Sequence, residues 1–540
     1  MENEVVISEI VSESNQAHSN QKTETCIQIH SSQPIKSSSI NTTVDKNSKI
    51  VAIIPHNNLS MFEQHFIKQN ILMVFSLTIT TPKGLSSFSK RNISDIIKKT
   101  AASHYRLSAT VKEDLFTELP YHTADELNNL NIQFCNSNDV KDTFIGSLNY
   151  NFAEHLENKY LWRALVLLNE DDLQQWNIDS QITFTVCWTI HHCLGDGLSM
   201  FALARTFVNN CTYDNLEGNT NLSRVEIDKS PPPLMDNLFN PWFIETIPAL
   251  YEMLWSFVKR KVFTVMRGRD VGSLKNFTPS TTNLLESSAG TELTRTSTNP
   301  ASIHNNGENK TNAKFLWFQK DFITKLRTKC KVERTSIAAV LVVAALCASK
   351  TCGEKMEKYK LKGVPNRQGW VVTNSLRHLI PGSKLIEGAD KETDPATAIF
   401  GSYAGSISDP ALNLKDTKNF WLTCQKVKRD INKIHFSSIA RLKLSNYIYR
   451  KPSLFKFMQS KVDLKAFTRL HSVEIANLGA WSTPESDIII NDIKGLVNCN
   501  FDGSRALFTL GVITVGGEMS ISIGYCEEAI YEEDAILFTH

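Results

Sequence analysis

The sequence lacks a charge excess of either sign: its 58 lysines and arginines nearly balance 56 aspartates and glutamates, leaving +2 overall. It also lacks a dense basic stripe with interleaved aromatics, so no nucleic-acid partner is expected. The 11 cysteines are an odd number and are scattered, with neither disulfide-framework nor zinc-finger spacing. That usage suits free thiols in a reducing compartment. The opening Met1-Glu2-Asn3-Glu4-Val5-Val6 has no basic region followed by an apolar stretch, so no secretory leader is read there. A cytoplasmic address is the expectation. No GxSxG is present, which leaves a nucleophile-elbow hydrolase without a foothold. No internal repeat is visible either.

What is present is enough chain for two domains and extras, since 540 residues exceed one ordinary core. Residues 1–57 are rich in Ser, Asn, Thr and Gln and cannot bury enough apolar surface to order, which predicts a polar disordered tail. Residues 58–230 then form a first half. Residues 231–313 hold Pro231-Pro232-Pro233, an apolar helical stretch and, from 270 to about 312, a Ser/Thr/Asn/Gly-rich linker. Residues 314–540 form the second half.

Within the halves, Glu63 to Phe75 reads as a mix of apolar and polar residues, and Ile93 to Ala102 as an amphipathic helix. His104 to Val111 reads as a turn and then a strand. Ile182 to Ile190 alternates without a break, with Ile182, Phe184, Val186, Trp188 and Ile190 on one face, and is the clearest strand. Leu198 to Val208 suits a helix. Thr335-Ser336 reads as the N-cap of a helix from Ile337 to Cys347, and Val371 to Thr373 as a strand. Leu507 to Val515 and Met519 to Tyr525, separated by Gly516-Gly517, read as a hairpin.

The stretch Trp242 to Met266 is aromatic and apolar, with Lys259-Arg260-Lys261 inside it near its end and Arg267 just after it. Glu245 and Glu252 would each cost ~3 kcal/mol at a bilayer centre, so a spanning helix is not expected. Two readings stay open: helices packed over a channel, and an interfacial helix at 242–267 touching an intracellular membrane or lipid droplet.

Between the clearest strand and its helix lies His191-His192-Cys193-Leu194-Gly195-Asp196-Gly197. Neutral imidazole, with an ordinary pKa near ~6.5, suits a general base at cellular pH. Adjacent histidines on extended backbone point to opposite faces, so a shared metal ion is not expected. Cys193 reads as core filler, because sequence neighbours rarely reach nucleophile–base geometry. The bland alternative is a structural His–Asp pair at a helix start.

These seven residues resemble HHxxxDG, the signature of the CoA-dependent acyltransferase superfamily. It contains chloramphenicol acetyltransferase, plant acyl-CoA transferases, alcohol acetyltransferases, wax ester synthases and peptide-synthetase condensation domains. The resemblance implies that His192 is the base and that Asp196 shapes the loop by pairing with an arginine. It further implies that Gly197 permits the tight start of the helix and that His191 supports. Leu161 to Leu165 resembles the strand before the motif, and His104 to Leu107 the HPxLR turn. Val371 to Arg377 resembles the strand ending in the paired arginine, which makes Arg377 the candidate partner of Asp196. Phe400 to Gly405, with Ser402 where Asn is common, and Val473 to Gly479, with Asn477, resemble two further stretches. Ser402 and Asn477 are read as channel or turn residues.

The resemblance covers roughly residues 58 to 535. Absence of DFGWG separates the chain from the plant enzymes, and Thr335 to Leu346 lacks the Asn-Asp pair of bacterial wax synthases. No carrier or adenylation domain is present. The alcohol acetyltransferase-like branch remains. It implies an α/β (α+β) fold of two chloramphenicol-acetyltransferase-like halves with a channel between them. It also implies acyl-CoA as co-substrate, a small or lipophilic hydroxyl acceptor, and no bound cofactor or metal. Two rivals stand beside it: a stand-alone condensation-type enzyme making amides or lipid esters, and a non-catalytic acyl-binding relative.

Overall fold

Alternation in the motif-bearing segment produces a strand, β6, at Thr183–His191. Its Phe184, Val186, Trp188 and Ile190 side chains join the main core, while Cys187 on the opposite face belongs to a smaller cluster with Phe144 and Leu148. Both faces are therefore buried. The computed structural model describes residues 59, 61–68, 70–85, 87–112, 115–118, 131–136, 139–152, 160–169, 171, 174, 180–217, 251, 310–355, 367–377, 400–413, 419–432, 471–481, 487–499, 506–527 and 530–540. The expectations for residues 1–57 and for the linker from 270 to 309 lie outside the described residues. So does the stretch 242–267, apart from Tyr251. No single helix among the described residues is long and apolar enough to cross a membrane.

In chain order the first half runs α1 (Met61–Lys68), β1 (Leu72–Thr80), α2 (Lys90–Ala102), a 3-10 turn (Tyr105–Ser108), β2 (Ala109–Lys112) and β3 (Leu115–Glu118). It continues with β4 (Ile132–Cys135), α3 (Val140–Leu148), β5 (Trp162–Leu167), β6, α4 (Gly197–Asn210) and α5 (Tyr213–Glu217). The second half runs β7 (Thr311–Phe318), α6 (Lys320–Val332), α7 (Ile337–Lys355), β8 (Arg367–Ser375) and β9 (Ala404–Asn413). It ends with β10 (His471–Trp481), β11 (Ile489–Val497), β12 (Ala506–Val515), β13 (Glu518–Cys526) and α8 (Glu532–Thr539). β7 begins at Thr311, slightly before the expected start of the second half at Lys314.

Two sheets carry the fold. The first has five strands in the order β11-β1-β6-β5-β4, and the second six in the order β7-β13-β12-β10-β8-β9. Helices α2 and α4 cover one face of the first sheet, contributing Ile93, Ile97, Phe201 and Phe207 to the core. Local chemistry explains the ends of these elements. Ser89 caps α2 by accepting from the Asn92 N–H, and Ser336 Oγ accepts from the Ala339 N–H to start α7. Gly516 and Gly517 both hold positive φ, +59° and +92°, which the two-residue turn between β12 and β13 requires.

The halves are not closed off from each other. β11 leaves the second half and pairs antiparallel with β1, placing Gly495 opposite Phe75. Where β11 and β12 cross, Gly511 lies so close to the Gly495 carbonyl that no Cβ could be placed there. Glycine is needed at that point for the two sheets to meet.

Candidate active site

Strand β6 ends at His191, and the ladder continues one residue further. The His192 N–H donates to Ile71 O at 2.8 Å, and the His191 N–H to Leu161 O at 2.9 Å. The two rings then part. His191 is fully buried, and its Nδ1 accepts from the Cys193 N–H at 3.3 Å beside the Cys193 thiol at 3.1 Å. Phe152 meets the ring edge-on at 6.2 Å. Burial, with help from neighbouring His192, lowers the His191 pKa to about 3, so the ring is neutral.

His192 instead packs on Phe66 of α1, with ring centroids 4.1 Å apart, and lines a cavity between the sheets. Its Nδ1 is sealed from solvent, which leaves Nε2 as the nitrogen available to the cavity. Burial lowers its pKa, opposed by the backbone carbonyls of His192 and Gly195 and by the Asp196 carboxylate. The imidazole is therefore neutral at cellular pH.

Asp196 is the N-cap of α4. Its Oδ1 accepts from the Ser199 N–H at 2.9 Å, while Ser199 Oγ accepts from the Asp196 N–H at 3.1 Å, completing a capping box. Arg377 Nη2 lies 2.6 Å from the same Oδ1, and the Tyr403 N–H donates to Oδ2 at 2.8 Å. Burial pushes this carboxyl up, but the Arg377 charge and these hydrogen bonds outweigh it and hold the pKa below the ordinary aspartate range. Asp196 thus stays ionised and fully engaged.

A second buried ion pair supports the loop from below. Arg106, in the 3-10 turn, pairs with Glu63 of α1 and also donates to Cys193 O at 3.1 Å. Burial lowers the guanidinium pKa, yet Glu63 more than restores it. Burial also raises the Cys193 thiol well above its ordinary value, followed in effect by the Glu63 charge, so no thiolate forms there.

The cavity measures about 250 Å³. Both sheets line it: Met73, Val74 and Phe75 with Gly495, Leu496 and Val497 on one side, and residues of β8, β9, β10 and β12 on the other. His192, Asp196 and Gly197 reach it from the motif and Asn477 from β10. Ser402 does not line it; it is buried between Gly401, whose carbonyl lies 3.1 Å from Arg377 Nη2, and Tyr403. Arg377 acts from behind Asp196 and does not line it either.

Several residues of the site escape a reading of the sequence. Ser199 had a local signal, the Asp196-x-x-Ser199 capping box at the start of an apolar helix. Tyr403 and Leu478 lie within the stretches 400–405 and 473–479 that carry the resemblance, but nothing there singles them out. Glu63 and Phe66 had no signal, because each meets the motif from a distant part of the chain.

Comparison with known proteins adds to this geometry. The family model described as alcohol acetyltransferase matches residues 117–537. No curated protein matches the chain. Among solved structures, TRI3 trichothecene 15-O-acetyltransferase from Fusarium sporotrichioides superimposes with a TM-score of 0.55 at 10% identity, covering 89% of this chain and 93% of that one. Polyketide synthase associated protein 5 from Mycobacterium tuberculosis gives 0.49 at 13% identity, over 89% and 96% of the respective chains. At such identities the likeness concerns the fold alone, an α/β chain of two halves shared with the trichothecene acetyltransferase.

Proposed function

Because this chain belongs to the alcohol acetyltransferase family and is an acyltransferase, we propose that it moves an acyl group from acyl-CoA to a hydroxyl acceptor with His192 as general base. The observation that carries this reading is the neutral His192 ring lining a cavity between the two sheets. The loop that presents it is fixed by Asp196–Arg377 on one side and Arg106 on the other.

In the proposed step Nε2 of His192 takes the proton of the acceptor hydroxyl as its oxygen attacks the thioester carbonyl. The tetrahedral adduct collapses, the C–S bond breaks, and the imidazolium returns the proton to the departing thiolate. The products are an ester and free CoA, and no metal or prosthetic group takes part. A positioned base supplies ~10²–10⁴ in rate, and alignment of both substrates in one cavity supplies more. Ionised Asp196, held by Arg377, is placed to orient the loop and is not available as a proton carrier.

The test is release of free CoA thiol from a panel of acyl-CoAs, with alcohols and amines as acceptors, compared with His192→Ala. Alcohol-dependent release that falls ~10²–10⁴-fold in the variant is expected. Release with amines alone, or release unaffected by the substitution, would overturn the reading.

A further inference from the structure

Strand β10 does not run evenly past the cavity. Asn477 pairs with Val512 and Ala480 with Thr514, so β10 holds one extra residue between these positions. Gly479 sits within that bulge at φ +87°. Nothing lies within 4 Å of where its Cβ would be, so backbone conformation and not space calls for glycine. Asn477 Oδ1 accepts from the Gly479 N–H at 3.0 Å and locks the turn. Bulges of this kind break the two-residue alternation and re-aim a side chain.

The side chain re-aimed here is Leu478. Its isopropyl group packs directly on Gly197 in the first turn of α4, filling the space a Cβ would take. Leu478 also lines the cavity together with His192, Leu198, Met200 and Met73. The surface they offer is hydrocarbon. Elsewhere along the cavity Gly495 and Gly511 meet backbone to backbone, so that boundary cannot retreat by a rotamer change. Leu478, by contrast, is a rotatable side chain in the wall that it shares with His192.

We propose that Leu478 is the residue that limits the length of the saturated hydrocarbon chain accepted next to His192. This rests on the acyl-transfer reading above. The chain is either the acyl tail of the donor or the alkyl part of the alcohol, and two arms of one experiment separate these sources. In the first, linear acyl-CoAs of increasing length are paired with one short alcohol. In the second, linear alcohols of increasing length are paired with acetyl-CoA. Thiol release by the full chain is read as kcat/KM for each member.

Leu478→Ala removes an isopropyl group. The expected result is a rise of about 10-fold or more in kcat/KM for longer chains relative to the shortest, in one of the two arms. Leu478→Phe should move the same arm toward shorter chains, and Leu478→Val should repeat the Ala shift at smaller size if the Ala variant folds poorly. Thiol release by the unsubstituted protein with profiles unchanged in both arms, for variants whose thermal transition matches the parent, overturns the role of Leu478 alone. No thiol release from the unsubstituted protein in any arm overturns the acyl-transfer reading, and this proposal with it.

Discussion

The Arg377 guanidinium, just past the end of β8, meets the Asp196 carboxylate at 2.6 Å, with side-chain exposures of 2% and 3%. This contact ties the second sheet to the cap of α4 and so to the loop that presents His192 to the cavity. The same carboxylate oxygen accepts from the first turn of its own helix, and its other oxygen accepts from Tyr403. One residue thus joins helix start, strand end and partner sheet.

Removing one member of a buried ion pair leaves the other uncompensated, at ~3–5 kcal/mol. Arg377→Leu is expected to lower unfolding free energy by about that amount. Asp196→Asn should cost less than Asp196→Ala, because Asn remains a good N-cap while losing the charge. Denaturant titration of the three variants and of the double variant Arg377→Leu/Asp196→Asn checks this. Additive losses in the double variant would show that the two side chains do not act as a pair.

Buried neutral His191 makes stability depend on pH. Its folded pKa is about 3 against an unfolded value near ~6.5, so over that window the unfolded chain binds a proton that the folded chain does not. Stability is therefore fully present above ~6.5 and declines as pH falls toward 3, by up to ~1.4 kcal/mol per pH unit for this group. His192, lowered in the same direction, adds to the decline. His191→Asn, which keeps an acceptor for the Cys193 N–H, should flatten the slope measured by denaturation between pH 6.5 and 4. An unaltered slope would remove His191 as its source.

Activity has its own pH signature. The lowered pKa of His192 means that the base form persists below the ordinary histidine range. kcat/KM should stay level through neutrality and fall tenfold per unit only below ~6.5. A fall that begins above pH 7 would contradict a buried, neutral base.

The parts legible in the sequence were those written in local pattern. Alternation from Ile182 to Ile190 marks β6, and Gly516-Gly517 marks the hairpin, because each signal lies within one element or one turn. β1 was harder: between β11 and β6 its first four residues, Leu72 to Phe75, are all apolar and buried, and alternation begins only at Ser76, with Leu77 and Ile79 buried and Thr78 and Thr80 less so. β11 was harder still. Asn491, Asp492 and Lys494 interrupt it, and nothing near it says that it leaves its own half to pair with β1. The link from Arg377 to Asp196 was reached through resemblance, since no spacing in one chain encodes a contact across two sheets. Phe66 on His192 and Glu63 on Arg106 lay beyond even that.

The crossing of β11 and β12 offers a steric test. At Gly511 a methyl group would meet the Gly495 carbonyl, a backbone atom that cannot rotate away. Gly511→Ala should destabilise the protein by ~1–3 kcal/mol or more through overpacking and distort the cavity both residues line. Unchanged stability, measured by thermal unfolding, would mean that the sheets are not pressed together there.

Asn498, just past β11, holds the corner on which His192 depends. Its Oδ1 accepts from the Leu72 N–H and its Nδ2 donates to Asn70 O, each at 3.0 Å. Between those two positions lies Ile71, whose carbonyl accepts from the His192 N–H. The Ile71 N–H in turn donates to the carbonyl of Phe66, the residue packed on the His192 ring. Asn70 sits at φ +46°, unusual for a residue other than glycine, so the corner needs such fastening. Asn498→Ala removes both side-chain bonds and leaves a buried N–H without its acceptor, at ~1–3 kcal/mol. The base should lose its alignment as well: kcat is expected to fall about 10-fold while KM for the acyl donor changes little. Asn498→Asp keeps an acceptor for Leu72 but no donor for Asn70, and should be at least as damaging. Steady-state kinetics beside denaturation separate the two effects. Lost stability with full kcat would leave Asn498 a brace for the fold and nothing more.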